Sequence, residues 1–347
     1  MSDRKRWIDC YKGLAIMLVV LGHLRIGEGL YRFLFSFHMY AFFFIGGITR
    51  KPSRQPFFRL LTENLRRLYV PYVAYAALWV ATELAMGLYQ GTADLPTVAQ
   101  LGENALNILL GGGVISGAAQ VGPAWFLCAL MVVRLAYDGL DRLCRQKQAV
   151  LAAVAAAFFL LAYVLEGYAA VPLRMTAALT AFGFYWAGDI CKALPDALAR
   201  VFDRGWRRLG WMAMAAAAFL TVAWMANLSD KALILGGNIL PRPWFVPLVA
   251  GFAGCLGLMA VSLLLERVPV AGMLAGFFGG CSMVIMGLHS QLRLGLYLVL
   301  PLSGWVLEAA VFALSLGLSV PVALVMGRYL PILAGKKKVY GSKYSNN

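Results

Sequence analysis

Long apolar runs separated by short polar segments dominate the pattern of this chain. A run of about 20 apolar residues can cross the hydrocarbon core of a bilayer as a helix, which satisfies its own backbone hydrogen bonds there. The sequence lacks the alternating segments of about ten residues that are typical of a membrane β-barrel. The pattern therefore predicts an all-α membrane bundle of about ten transmembrane helices, at 7–26, 31–49, 68–88, 123–140, 149–165, 172–191, 209–227, 244–265, 279–300 and 306–330.

Charged residues support this prediction and indicate an orientation. Only 14% of the 347 residues are charged and 61% are hydrophobic, whereas about 25% of the residues in soluble domains are charged. If the N-terminus lies in the cytoplasm, 23 of the 31 lysines and arginines fall in cytoplasmic segments and five in outer loops. This asymmetry is typical of multi-pass proteins and predicts both termini in the cytoplasm. The net charge of +15 then follows from topology, and we expect no nucleic-acid partner.

The segments between the helices predict no separate domain. Residues 91–122 are glycine-rich and weakly apolar, which indicates a re-entrant or interfacial segment, and residues 269–278 are too short to span, which favours an interfacial helix. The six cysteines are widely spaced, so we expect neither a disulfide framework nor a metal site. We expect one integral-membrane domain over residues 1–347, with a core at 7–330 and a basic cytoplasmic tail at 331–347.

The three histidines, His23, His38 and His289, all fall inside predicted helices. Ionisable residues in a membrane are costly and usually mark function, although each histidine can also simply bond a neighbouring helix. Lys12 and His23 are eleven residues apart, which places them on one helix face and roughly 16.5 Å apart along it. Asp9, one turn before Lys12, can neutralise that cation. An interfacial ion pair of Asp9 and Lys12 is the alternative for these two residues, and it does not explain His23.

The second predicted helix carries His38 among many aromatic residues. His38 lies eleven residues before Thr49, and therefore again roughly 16.5 Å from the inner end of its helix. His23 and His38 can thus approach a similar depth on adjacent antiparallel helices. Gly46 and Gly47, near the end of the same segment, can simply permit close helix packing.

The segment Trp7–His23 resembles the opening signature of the membrane acyltransferase-3 family, which includes polysaccharide O-acetylases. The family pattern is an aspartate, a basic residue three positions later and a histidine eleven positions after that. These positions are Asp9, Lys12 and His23 in this chain. The opening residues W-I-D-x-x-K-G lean toward the fucose-O-acetylase-like branch.

The segment Phe35–Gly47 resembles the family's F-x-F-H-M-P-L-F-F-F-x-S-G stretch, with His38 at the histidine. Tyr40 replaces the proline of that stretch, and Gly46 replaces its serine.

Three further elements resemble the family more loosely. The first is an arginine pair before the third helix, which is Arg66 and Arg67 here. The second is a tryptophan–leucine element that begins at Trp125, and the third is a late histidine, His289. The likeness extends over the whole hydrophobic core. By this resemblance, Trp125 and His289 are expected to contact the substrate.

The resemblance implies an acyl donor, usually acetyl-CoA, that binds from the cytoplasm. It also implies an acceptor sugar of a lipid-linked or exported polysaccharide on the other side of the bacterial inner membrane. Arg59, Arg66 and Arg67 cluster at the predicted inner rim, where the phosphates of coenzyme A would bind, and arginine suits bidentate phosphate contacts. The alternative is that these arginines only follow the positive-inside rule.

A histidine titrating near working pH can remove the hydroxyl proton as the acceptor attacks the thioester. We expect His23 to be this base or a transient acyl carrier, His38 to orient or exchange protons, and Lys12, beside Asp9, to be a structural or donor-side cation. Direct transfer and an acyl-enzyme both stay open. The alternative functions are a lipid-linked sugar flippase or small-molecule transporter, which needs a polar path through many helices, and a membrane sensor without catalysis.

Overall fold

The computed structural model describes residues 6–52, 55–167 and 171–336. In this part of the chain the predicted all-α class is confirmed, and the only pairing of β type is one isolated bridge between Ile234 and Ile239. The α-helices are α1 (Arg6–Gly22), α2 (Glu28–Phe35), α3 (His38–Ile48), α4 (Phe57–Asn64), α5 (Val70–Gln90), α6 (Val98–Leu109), α7 (Trp125–Leu143), α8 (Gln148–Val164), α9 (Met175–Cys191), α10 (Leu194–Val201), α11 (Arg204–Leu228), α12 (Phe245–Leu265), α13 (Pro269–Val299) and α14 (Gly304–Tyr329).

Six helical stretches of the described residues are long and apolar enough to cross a membrane. They are Phe57–Gln90, Gly122–Leu143, Arg204–Leu228, Phe245–Leu265, Pro269–Val299 and Gly304–Tyr329. The helix α8 is apolar but shorter, and α1, α3 and α9 have 17, 11 and 17 residues. Every predicted segment therefore contains a helix, while ten spans and cytoplasmic termini stay predictions.

The predicted helix 31–49 is interrupted at Ser36 and Phe37, which separate α2 from α3. The Ser36 hydroxyl donates to the carbonyl of Arg32 at 2.7 Å, a local bond of the kind that often accompanies helix bends. Phe37 leaves helical geometry, with φ −146° and ψ −22°. The break places His38 at the first position of α3.

The structure differs from the prediction in three segments between the predicted helices. Residues 269–278 are not a separate interfacial helix, because α13 continues without interruption from Pro269 to Val299. The predicted loop 50–67 contains α4, and a π-helical turn, Leu65–Tyr69, joins α4 to α5. Similarly, α10 lies within the predicted loop 192–208. Most of the predicted tail, from residue 337 onward, lies outside the described residues.

The glycine-rich segment 91–122 turns back along α5. The hydroxyls of Tyr69 and Tyr72, near the start of α5, donate to the carbonyls of Leu109 and Ile108 at the end of α6, both at 2.6 Å. The buried Asn107 then orders the following loop, because its side-chain oxygen accepts the backbone N–H of Val114 at 2.9 Å. Whether this segment is re-entrant or interfacial stays a prediction.

Glycines allow two helix pairs to touch backbone to backbone. On α1 and α13, a Cβ at Gly13 would lie 1.8 Å from the Ala275 carbonyl oxygen, and a Cβ at Gly279 would lie 1.9 Å from that of Asp9. On α3 and α9, Gly47 and Gly188 make equivalent contacts at 2.0 Å. Small residues at such crossings are the usual means of close packing in membranes. The packing alternative for Gly47 is therefore confirmed.

The bundle has two chemically different ends. The first, which we call the basic end, carries the start of α1, the end of α3 and the cations Lys12, Arg50 and Arg67. The second, which we call the histidine end, carries the end of α1, with His23, and the start of α3, with His38.

Candidate active site

The three histidines converge at the histidine end. His23 lies in the turn just after α1, and its ring centroid is 5.0 Å from that of His289 on α13. The ring of Phe35 contacts both His23 and His38, with centroid distances of 6.4 and 4.6 Å. His38 and His289 are each 1% exposed, whereas His23 is partly exposed. His23 is therefore the least enclosed member of the cluster.

Hydrogen bonds fix the protons of the two buried rings. In His38, Nδ1 lies 2.7 Å from the carbonyl oxygen of Leu34, and in His289, Nδ1 lies 2.9 Å from that of Met286. A carbonyl oxygen only accepts, so a neutral ring carries its proton on Nδ1 and keeps Nε2 as an acceptor. The Ser290 hydroxyl is 3.1 Å from Nε2 of His289 and donates to it. Nε2 of His38 thus stays an acceptor, whereas Nε2 of His289 accepts from Ser290 on the same helix.

Arg293, one turn beyond His289, holds His23 in place. Its guanidinium Nη1 donates to the carbonyl of His23, which caps the C-terminus of α1. Within the described residues, the buried Nε of Arg293 has no hydrogen-bond partner. Tyr297 and Glu308, joined by a hydrogen bond, continue this polar surface beyond the histidines.

A cavity of about 1300 Å³ opens at the basic end. Cations line it from several elements, namely Lys12, Arg50, Lys51, Arg59, Arg67, Arg134 and Lys336, together with the carboxylates of Glu63 and Asp138. This excess of positive charge favours an anionic ligand. Further in, the lining becomes apolar, with Phe42, Leu127 and Met286 among its residues.

The apolar part of the cavity approaches the histidine cluster. Met286 lines the cavity three residues before His289 on α13, and Phe42 lines it four residues after His38 on α3. At 1.5 Å of rise per residue, these separations are roughly 4.5 and 6 Å along the helices. One helical turn therefore separates the cavity lining from the two buried histidines.

A buried ion cluster builds one wall of the cavity. Arg50, after α3, bonds Asp138 and Asp141 of α7 at 2.7 and 2.6 Å and Asp189 of α9 at 3.1 Å. Burial lowers the pKa of the Arg50 guanidinium, but its hydrogen bonds to Asp138 and Asp141 outweigh this and raise it above its usual value. Arg50 thus stays charged and ties three helices together. Sequence analysis did not identify this residue, because nothing in a loop arginine indicates its distant partners.

The predicted donor-side residues divide into two groups. Lys12, Arg59 and Arg67 line the cavity, whereas Arg66, which is exposed, does not line it. The backbone of Asp9 packs against Gly279 of α13. Whether any of these residues binds a donor stays a prediction.

Trp125 lies at the histidine end, as the first residue of α7, and its ring packs on the backbone of Gly236. The next two residues, Phe126 and Leu127, line the cavity instead. No cluster of three or more His, Cys, Asp or Glu side chains able to hold a metal ion occurs within residues 6–52, 55–167 and 171–336.

These features define a multi-pass helical membrane protein with a basic cavity at one end and a histidine cluster beyond it. A family model described as an acyltransferase domain matches residues 5–328, nearly the whole chain. The chain therefore belongs to the acyltransferase-3 family and is a membrane acyltransferase. Comparison with curated proteins found no match, and comparison with solved structures found none either.

Proposed function

We propose that this protein is an O-acyltransferase of the bacterial inner membrane that moves an acetyl group from acetyl-CoA to a sugar hydroxyl of a cell-surface or lipid-linked polysaccharide. The observation that carries the proposal is the position of the basic cavity, whose apolar part comes within one helical turn of His38 and His289. A donor bound in the cavity can present its thioester to the cluster from one side. An acceptor would approach the partly exposed His23 from the other.

The donor fits the gradient of polarity along the cavity. The phosphates of coenzyme A would contact the cations at the mouth, where Arg59 and Arg67 can form charge-assisted bonds. Its uncharged pantetheine arm would then extend past Phe42 and Met286 toward the histidines. The basic end faces the cytoplasm in this proposal, as the positive-inside distribution predicts.

The reaction needs a base at the acceptor hydroxyl. The hydroxyl oxygen bonds the acyl carbon, the carbon–sulfur bond breaks, and the hydroxyl proton passes to the ring of His23 and then to the leaving thiolate, giving the ester and free coenzyme A. His23 suits this role because it is the least enclosed member of the cluster. His289, 5.0 Å away between ring centroids, can orient it, and Arg293 fixes its backbone. Transfer in one step requires no acyl-enzyme.

The test incubates the purified protein, reconstituted in vesicles, with acetyl-CoA labelled in the acetyl group and with polysaccharide supplied on the opposite side. The proposal expects label in an alkali-labile ester on the polysaccharide and an equimolar release of coenzyme A. Passage of a lipid-linked sugar across the vesicle without transfer of label would instead indicate a flippase. Transfer from acetyl phosphate as efficient as from acetyl-CoA would contradict the donor assignment.

A further inference from the structure

Four arginine side chains converge on one surface crevice of about 450 Å³, separate from the basic cavity. Arg204, Arg207 and Arg208 belong to the first turns of α11, and their i, i+3, i+4 spacing places them on one helix face. Arg267 joins them from the turn after α12. The crevice therefore lies between two neighbouring helices.

No acidic side chain lines this crevice among the described residues. The carboxylates nearest in sequence have other partners. Asp203 accepts the backbone N–H of Trp206 at 3.0 Å and caps α11, and Glu266 accepts the backbone N–H of Trp7 on α1 at 2.9 Å. Repulsion among the four guanidinium groups is thus not balanced within the lining, and a bound anion would relieve it.

Exposed apolar side chains lie near the arginines. Met212, one helical turn after Arg208 on α11, is 58% exposed, and Val270, three residues after Arg267 at the start of α13, is 64% exposed. Trp206 and Leu209, which are 67% and 57% exposed, lie on the opposite, outward face of α11. Tryptophan is enriched at the level of lipid headgroups, with aliphatic side chains deeper in the bilayer. The crevice is therefore placed for a ligand that is anionic at one end and apolar at the other.

We propose that this crevice binds the phosphates of an anionic phospholipid of the cardiolipin type, whose headgroup carries two phosphates. Four guanidinium groups can contact two phosphates in the bidentate manner that arginine favours, and basic pockets between transmembrane helices are known to hold such headgroups. The acyl chains would lie along Met212 and Val270. This proposal does not depend on the acyl-transfer reaction, and its test does not use catalysis.

The experiment measures cardiolipin binding to the full-length protein in phosphatidylcholine nanodiscs, by native mass spectrometry and by the shift in melting temperature. The double variant Arg204→Gln/Arg208→Gln removes two charges from the crevice. The control Arg145→Gln/Lys147→Gln removes two charges from the α7–α8 loop at the same end of the bundle. Each basic residue near an anionic lipid contributes roughly a factor of five, so the crevice variant should bind about thirtyfold more weakly than the wild type.

The control should bind as the wild type does, and Arg204→Lys/Arg208→Lys should lose less affinity than the glutamine pair, because it keeps the charge. If the glutamine variant unfolds, the binding of the lysine variant is compared with that of the wild type and the control instead. Equal losses in the crevice variant and the control would show that general surface charge attracts the lipid and would overturn the proposal. If inorganic pyrophosphate raises the melting temperature of the wild type as much as cardiolipin does, the ligand is a soluble anion and the lipid assignment is overturned.

Discussion

The contact between α1 and α13 sets the geometry of the candidate site, and Gly279→Ala tests it. The new methyl group would lie 1.9 Å from the carbonyl oxygen of Asp9, whereas ordinary contacts begin at 3.4 Å. The clashing atom belongs to the backbone of α1, so no change of rotamer relieves it. The two helices must separate by about 1.5 Å at this point.

This separation should reduce both stability and turnover. Overpacking typically costs about 1–3 kcal/mol, and a backbone clash belongs at the upper end of that range. Lys12 and His23 lie on or just after α1 and His289 lies on α13, so the shift also moves the candidate catalytic groups relative to each other. A misplacement of about 1 Å can lower a rate about 10²-fold. We therefore expect a lower melting temperature and a loss of turnover of that order.

The assay compares Gly279→Ala with Gly295→Ala on the same helix. A Cβ at Gly295 meets no atom within 4 Å, so this control changes the chain in the same way without a clash. Thermal unfolding in detergent and acetyl transfer at matched protein concentration supply the two readouts. If Gly279→Ala melts and turns over as Gly295→Ala does, the close packing of α1 on α13 is not what positions the site.

Three further outcomes are expected. Arg67→Gln should raise the KM for acetyl-CoA several-fold, because Arg67 lines the cavity, whereas Arg66→Gln should leave that KM unchanged. Equal KM values for these two variants would exclude a donor-binding role for Arg67. Arg50→Met should destabilise the protein by about 3–5 kcal/mol, because it leaves buried carboxylates unpaired. Lys192→Ala, at a partly exposed partner of the same cluster, should cost less than about 1 kcal/mol, and similar melting temperatures for the two variants would contradict this prediction. A reporter fused to the C-terminus should be active in its cytoplasmic form and inactive in its periplasmic form, and the reverse would exclude the predicted orientation.

The sequence predicts the helices well because lipid imposes the length of an apolar run. It does not predict their ends. The break between α2 and α3 follows from the non-helical φ and ψ of Phe37, which no hydrophobic pattern indicates. The first part of α13 is an apolar segment that is too short to span alone. Propensity and hydropathy do not distinguish such a segment from a separate interfacial helix.

Helix geometry explains why the sequence predicts the positions of Lys12 and His23 in the site. Eleven residues on one helix place Lys12 and His23 at different depths, and the structure accordingly has Lys12 at the basic cavity and His23 beyond its far side. The approach of His289 to His23 depends on the contact between α1 and α13, which no local pattern reveals. Arg66 and Arg67 are adjacent in sequence, and only Arg67 lines the cavity, because adjacent helical residues point in different directions and no local pattern reveals which direction faces the cavity.

The most direct test of the account is the turnover of purified His23→Ala with acetyl-CoA and polysaccharide, measured beside its affinity for coenzyme A. General-base catalysis contributes roughly 10²–10⁴-fold, so the variant should lose at least that order of turnover. Its affinity for coenzyme A should stay at the wild-type value, because His23 does not line the basic cavity. Near-normal turnover in a folded His23→Ala variant would contradict the assignment of His23 as the base.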